Sequence, residues 1–188
     1  KEDYIIKTYP FRSDYGTGLD IDNVITRSGG YNVFKLEDKP AELNEYLSFV
    51  SECYYDYVNN VLPNKTFVTS EIKPGVNCWV NVVRNGESIV MHKHSDDHGD
   101  LWSFISATSV LNASGTNTNY KYKEEVTSVP NEIGSLTIFP PFYNHWTSIN
   151  ESQEKRITLG MDIVFNHDAC DSCGDYQSNL KPLINVSN

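Results

Sequence analysis

No stretch of this chain approaches the roughly 18 consecutive apolar residues from which a membrane-spanning helix is read, so a bilayer is not an expected partner. Positive charge is scarce as well. Fifteen Lys and Arg face 25 Asp and Glu, giving a formal charge of −10 and an isoelectric point near 4.8. Such a surface repels phosphates and anionic lipid at long range, so nucleic acid is not an expected partner either, although a small local basic patch could still hold one. Cysteine is sparse: Cys53, Cys78 and a single C-x-x-C, Cys170 with Cys173. A zinc site needs about four ligands, and no second C-x-x-C completes one. The pair therefore reads mainly as part of a bland or locally bridged polar tail, with a redox or metal role as the lesser reading. A cytoplasmic location is the default expectation, and nothing fixes the oligomeric state.

Internal repeats, low-complexity tracts and linkers are also missing, and 188 residues suit one domain. Within it the sequence divides into an N-terminal segment with a supporting helix (1–65), a strand-rich core (66–166) and a C-terminal tail (167–188). Tyrosine, at 12 copies, is abundant, and aromatic and β-branched residues dominate the second half, which favours strands.

From Asp38 the pattern is helical. Asp38 can cap, Pro40 suits a first turn and Glu42 adds favourable charge there. Leu43, Leu47, Val50, Tyr54, Tyr57, Val58 and Val61 then recur at helical spacing until Pro63. This predicts one amphipathic helix covering a sheet. After it the period drops to two, predicting strands over Thr66–Ile72, Cys78–Arg84, Ser88–His94, Ser103–Leu111, Asn119–Tyr122, Leu136–Phe139 and Arg156–Val164. Asn85-Gly86 between two such runs predicts a hairpin. Short strands at this spacing, fronted by a helix, predict a mainly β chain with a jelly-roll or related double sheet.

No histidine occurs before residue 92. Then Met91-His-Lys-His-Ser-Asp-Asp-His98 brings imidazoles and carboxylates together within a few residues. In an extended strand His92, His94 and Asp96 would share one side. A further histidine, His145, follows Pro140-Pro-Phe-Tyr-Asn, just after an apolar strand. Eleven residues beyond it, Arg156-Ile-Thr158 opens another apolar strand. The grouping suits an oxygen-activating iron, which takes two His and usually one carboxylate on one face of an octahedron and leaves the other positions open. An Arg one strand further on can grip a carboxylate bidentately, and Thr158 on the same face can add a hydroxyl.

The ordered set Trp79, Asn81, Gly86, His92, His94, Gly134, Leu136, Phe139, Pro140, His145, Arg156, Ile157 and Asn166 resembles the 2-oxoglutarate and iron(II)-dependent oxygenases. It is most similar to the small prolyl 4-hydroxylase-like group common in phage and bacterial genomes. The resemblance covers residues 78–166. It implies a double-stranded β-helix core and a hydroxylase that consumes 2-oxoglutarate and oxygen on a small amino-acid-like or peptidyl, proline-like substrate. It also implies iron(II) on His145 and a pair from the earlier cluster, with Arg156 and Thr158 on the far carboxylate of the co-substrate. Three pairs fit: His92 with His94, giving a three-histidine site; His94 with Asp96; and His98 with Asp100.

Two other classes share some of these features. A cupin-like metal enzyme independent of 2-oxoglutarate would also use His-x-His and a later His on a jelly roll, but would not need Arg156 at its offset. A non-catalytic β-sandwich, structural or carbohydrate-binding, would bind no metal. Taken singly, the His and Asp cluster reads as a solvated turn, His145 as a loop histidine and Arg156 as a surface ion-pair residue.

Overall fold

The computed structural model describes residues 2–9, 31–62, 74–94, 103–165 and 180–184. In chain order these form α1 (Glu2–Thr8), a short 3-10 turn (Val33–Lys35), α2 (Glu42–Asn60), β1 (Pro74–Val83), β2 (Ile105–Asn112), β3 (Asn117–Tyr122), β4 (Glu125–Pro130), β5 (Leu136–Phe139), β6 (Asn144–Thr147), β7 (Arg156–Phe165) and β8 (Lys181–Pro182).

The strands make two sheets, one ordered β5-β2-β7-β1-β8 and one ordered β4-β3-β6. An antiparallel bridge between His92 and His145 adds the segment after β1 to the free edge of β6. The chain therefore crosses repeatedly between sheets. β1 lies in the first and the His92 segment in the second; β2 returns to the first, β3 and β4 lie in the second, and β5, β6 and β7 alternate. That path is a double-stranded β-helix, the jelly-roll architecture expected from the strand spacing.

Side chains alternate across each strand, and the two faces of the first sheet differ in chemistry. Val76, Cys78, Val82, Leu159, Met161 and Ile163 join the hydrophobic core with Leu47, Val50, Tyr54 and Val58 of α2. Each fully buried aliphatic side chain there stabilises the fold by roughly 1.5–3 kcal/mol. The opposite face looks into the barrel and is largely polar. Register pairs there are Asn77 with Asp162, Trp79 with Gly160, Asn81 with Thr158 and Val83 with Arg156. The open edge of β1 is closed by side chains: Val80 N donates to Tyr31 Oη at 2.9 Å, and Asn32 Nδ2 donates to the Val76 carbonyl at 2.7 Å.

Several sequence expectations need correction. The turn at Asn85-Gly86 forms, with Gly86 at φ +82° and Glu87 N donating to the Arg84 carbonyl. It is a corner between sheets and not a hairpin, because β7 already occupies the β1 edge and the chain beyond the turn pairs with β6. The strand expected over Ser88–His94 shrinks to that one bridge. The N-cap position of α2 is Ala41, with no side-chain capping bond, where Asp38 was expected to cap. β4 and α1 were not anticipated, and neither was β6 as a strand. Part of the C-terminal tail pairs with β1 through Lys181 and Pro182, and Leu183 is buried. The expected strand over Thr66–Ile72 and the Cys170–Cys173 pair lie outside the described residues.

Candidate metal centre

His92 and His145 are positioned by backbone. Each donates its N–H to the other's carbonyl, at 3.0 and 2.8 Å, so their side chains leave the sheet on the same face. His94, two residues further, returns to that face and is tied down by its N–H to the Pro141 carbonyl at 2.9 Å. The ring centroids lie 4.1 Å (His92–His145), 5.0 Å (His94–His145) and 5.4 Å (His92–His94) apart. One nitrogen from each of the three lies within 4.8 Å of the others.

The hydrogen bonds assign which nitrogen that is. Nδ1 of His92 lies 2.8 Å from the Val90 carbonyl, and Nδ1 of His145 lies 3.2 Å from the Tyr143 carbonyl. A carbonyl oxygen only accepts, so both Nδ1 atoms carry the proton and both Nε2 atoms carry the lone pair. Nδ1 of His94 lies 2.7 Å from Oδ1 of Asp162, which makes the same assignment for the third ring. With all three Nδ1 atoms engaged, Nε2 is the atom each ring has left to offer a first-row metal.

Electrostatics keep them available. Burial, followed by the neighbouring His94, pushes His92 down to about 4. Burial and the same neighbours hold His145 well below the usual imidazole range. Both rings are neutral bases at neutral pH. Burial alone would raise the Asp162 carboxyl, but His94, Ser106 and Ser103 outweigh it and hold it below its usual value. Around the cluster stand Trp79, 5.7 Å from His94, and Phe139, 4.9 Å from His145. Tyr120 stacks at 6.2 Å from His145.

Arg156 lies on the same inner face, 1% exposed. Its Nη2 donates to Thr118 Oγ1 at 3.3 Å, while Nε and Nη1 are buried with no hydrogen-bond partner. Burial lowers its pKa to about 10, partly opposed by Tyr120. Unpartnered guanidinium nitrogens in a dry interior are costly, and an anion is the partner they fit. Thr118 stands opposite Thr147 and Tyr120 opposite His145, so the guanidinium's anchor lies two residues, about 7 Å, along the barrel from the imidazoles. Thr158, fully buried, shares the face, and its Oγ1 accepts from Asn81 Nδ2 at 3.4 Å. A cavity of about 280 Å³ lies against the buried Tyr120 and Phe139, lined otherwise by more exposed residues such as Tyr122, Tyr143 and Glu125 and by none of the three histidines, Arg156 or Thr158.

His92, His94 and His145 come together, and Arg156 and Thr158 enter the same barrel. Asp96, His98 and Asp100 lie outside the described residues. Arg156 is buried and is not the surface ion-pair residue that its charged neighbours permitted. Sequence reasoning missed Asp162, although a lone carboxylate inside the apolar run Leu159-Gly-Met-Asp-Ile-Val164, at even spacing from Arg156, carried that signal. It also missed Tyr120 and Asn77. Asn77 is fully buried across from Asp162, with neither side-chain polar atom hydrogen-bonded.

No protein-family profile matches the chain, and no curated protein is detectably similar to it. Among solved structures, it is similar to a prolyl-4-hydroxylase of Pseudomonas putida, at 13% identity over 70% of each chain, with a TM-score of 0.53. An oxidoreductase of the 2OG-Fe(II) oxygenase family from Burkholderia pseudomallei aligns at 13% identity over 60% of this chain and 56% of that one, with a TM-score of 0.44. A cupin domain from Bordetella pertussis aligns at 14% identity over 52% of this chain and 88% of its own, with a TM-score of 0.36. The first likeness shows a shared fold; the other two are too shallow to add to it. No helix among the described residues is long and apolar enough to cross a membrane.

Proposed function

We propose that the chain is a non-haem iron(II) dioxygenase that uses 2-oxoglutarate and oxygen to hydroxylate a C–H bond of a small amino-acid-like or peptidyl substrate. One observation carries this reading: a convergent set of histidine lone pairs and a buried guanidinium with unpartnered nitrogens occupy the same barrel. The imidazoles fit a metal ion, and the guanidinium fits the far carboxylate of a short dicarboxylic acid held beside it. A cupin-like enzyme without that co-substrate has no use for the second feature.

His92, His94 and His145 would hold the ion, which when bound supplies the oxygen-activating redox chemistry. The chain's own residues do the rest. Arg156 binds and orients the distal carboxylate, with Thr118 fixing the guanidinium and Thr158 beside it adding a hydroxyl contact. Trp79, Phe139 and Tyr120 exclude water from the imidazole cluster. The balance is one substrate C–H, one 2-oxoglutarate and one oxygen molecule giving the alcohol, succinate and carbon dioxide.

The test is anaerobic titration with iron(II) and then 2-oxoglutarate, followed by oxygen. A weak visible charge-transfer band and then succinate are expected. Folded protein that gives neither refutes the reading.

A further inference from the structure

Resting on the metal site proposed above, we infer that Asp162 is its positioning carboxylate. It fixes Nε2 of His94 toward the ion and supplies, through one hydrogen bond, the negative charge that a directly ligating Asp supplies in a two-histidine site. The three imidazoles are not held alike. His92 and His145 each lean on a backbone carbonyl two residues back. His94 alone leans on a carboxylate, at 2.7 Å, with side-chain exposures of 12% and 9% for the pair.

The carboxylate is built in with care. Ser106 Oγ donates to Oδ1 of Asp162 at 2.8 Å and lies 3.0 Å from Nδ1 of His94, and Ser106 and Ser103 hydroxyls are 3.4 Å apart. β7 holds Asp162 between Asn77 on β1 and Ser106 on β2, so it cannot drift from His94 without breaking the central strand. Three neutral imidazoles leave the charge of a divalent ion uncompensated in a site walled by aromatic rings. A carboxylate one hydrogen bond away offsets it and strengthens His94 as a donor, because metal on Nε2 polarises the Nδ1–H toward Asp162.

A purely structural role makes a different prediction. It would cost stability when Asp162 is altered and leave the metal indifferent. The experiment is a titration of the full chain with cobalt(II), read by the visible ligand-field spectrum, for the wild type, Asp162→Asn and Ser106→Ala. Asp162→Asn keeps the shape and an acceptor oxygen but removes the charge. It is expected to fold and to bind cobalt about 10–100-fold more weakly, the usual cost of losing an outer-shell partner; Ser106→Ala, which leaves the charge, should lose less. Asp162→Asn binding cobalt as tightly as the wild type overturns the inference while leaving the metal site intact. A wild type that binds no cobalt overturns the metal site and the inference together. If Asp162→Asn does not fold, nitrogen-15 NMR of the wild-type His94 ring decides: a proton on Nδ1 with and without zinc(II) is expected, and a proton on Nε2 overturns the inference.

Discussion

The indole of Trp79 lies flat against the backbone of Gly160, so close that a Cβ at residue 160 would sit 2.6 Å from its Cε2. Trp79 and Gly160 are register partners on β1 and β7, and the same indole is 5.7 Å from the His94 ring. Glycine at 160 is thus required by a close approach and not by a turn. Gly160→Ala should destabilise the protein by about 1–3 kcal/mol, the usual cost of overpacking, and should weaken metal binding by displacing the wall of His94. Trp79→Phe in the Gly160→Ala background should recover part of the stability, a coupling that chemical denaturation of both single variants and the double variant would measure.

Arg156 should show opposite effects on stability and on co-substrate binding. Its guanidinium is buried with two unpartnered nitrogens, a costly state that a long apolar side chain avoids. Arg156→Met should therefore leave the melting temperature unchanged or raise it. It should retain metal affinity and lose 2-oxoglutarate affinity by on the order of 100-fold, since charge-assisted hydrogen bonds contribute about 1.5–3 kcal/mol each. Arg156→Lys keeps charge without the planar fork and should fall between. A variant that melts earlier and binds the co-substrate normally would mark Arg156 as purely structural.

The metal-free protein should be acid-labile. His92 falls from its ordinary 6.5 to about 4 in the fold, and His145 is lowered too. For His92 the unfolded chain binds the proton between those values and the folded chain does not, so its contribution is lost as pH drops from about 6.5 toward 4; His145 adds a loss of the same sign that extends further into acid. The His92 contribution is at most about 3 kcal/mol. Asp162, whose carboxyl is also held low, adds a loss of the same sign as pH falls through the acid range. Melting temperatures taken in chelator from pH 7.5 to 4.5 should decline more steeply for the wild type than for His92→Gln.

Legibility in the sequence followed how local each signal is. Strands β5 and β7 were readable because apolar runs bounded by Gly134 and by the polar turn before Arg156 announce themselves. β4 was not, because it is an exposed edge strand entered through Lys123 at φ +54°, a turn without the usual Gly or Asn. The histidines were readable as candidates, but which of them converge depends on the bridge between His92 and His145, a pairing of segments some fifty residues apart in the chain. Asp162 was missed because a single charge in an apolar strand acquires its meaning only from the register of β1, β7 and β2, which sets it between Asn77 and Ser106.

The identity of the metal ligands offers the sharpest remaining test. One nitrogen from each of His92, His94 and His145 already lies within 4.8 Å of the others, and the Nδ1 of His94 is committed to Asp162. If His94 is a ligand, His94→Ala should lose iron affinity by more than the roughly 10–100-fold that an outer-shell change costs, and His145→Ala should do the same. In one alternative pairing His94 and Asp96 are ligands and His92 only fills space. Asp96→Ala would then be as damaging as His94→Ala, while His92→Ala would be tolerated. Anaerobic iron(II) titration of these four variants separates the two arrangements. The three-histidine site requires weakened binding in all three histidine variants and wild-type affinity for Asp96→Ala, because only then does every ion–protein bond come from an imidazole whose other nitrogen is already held.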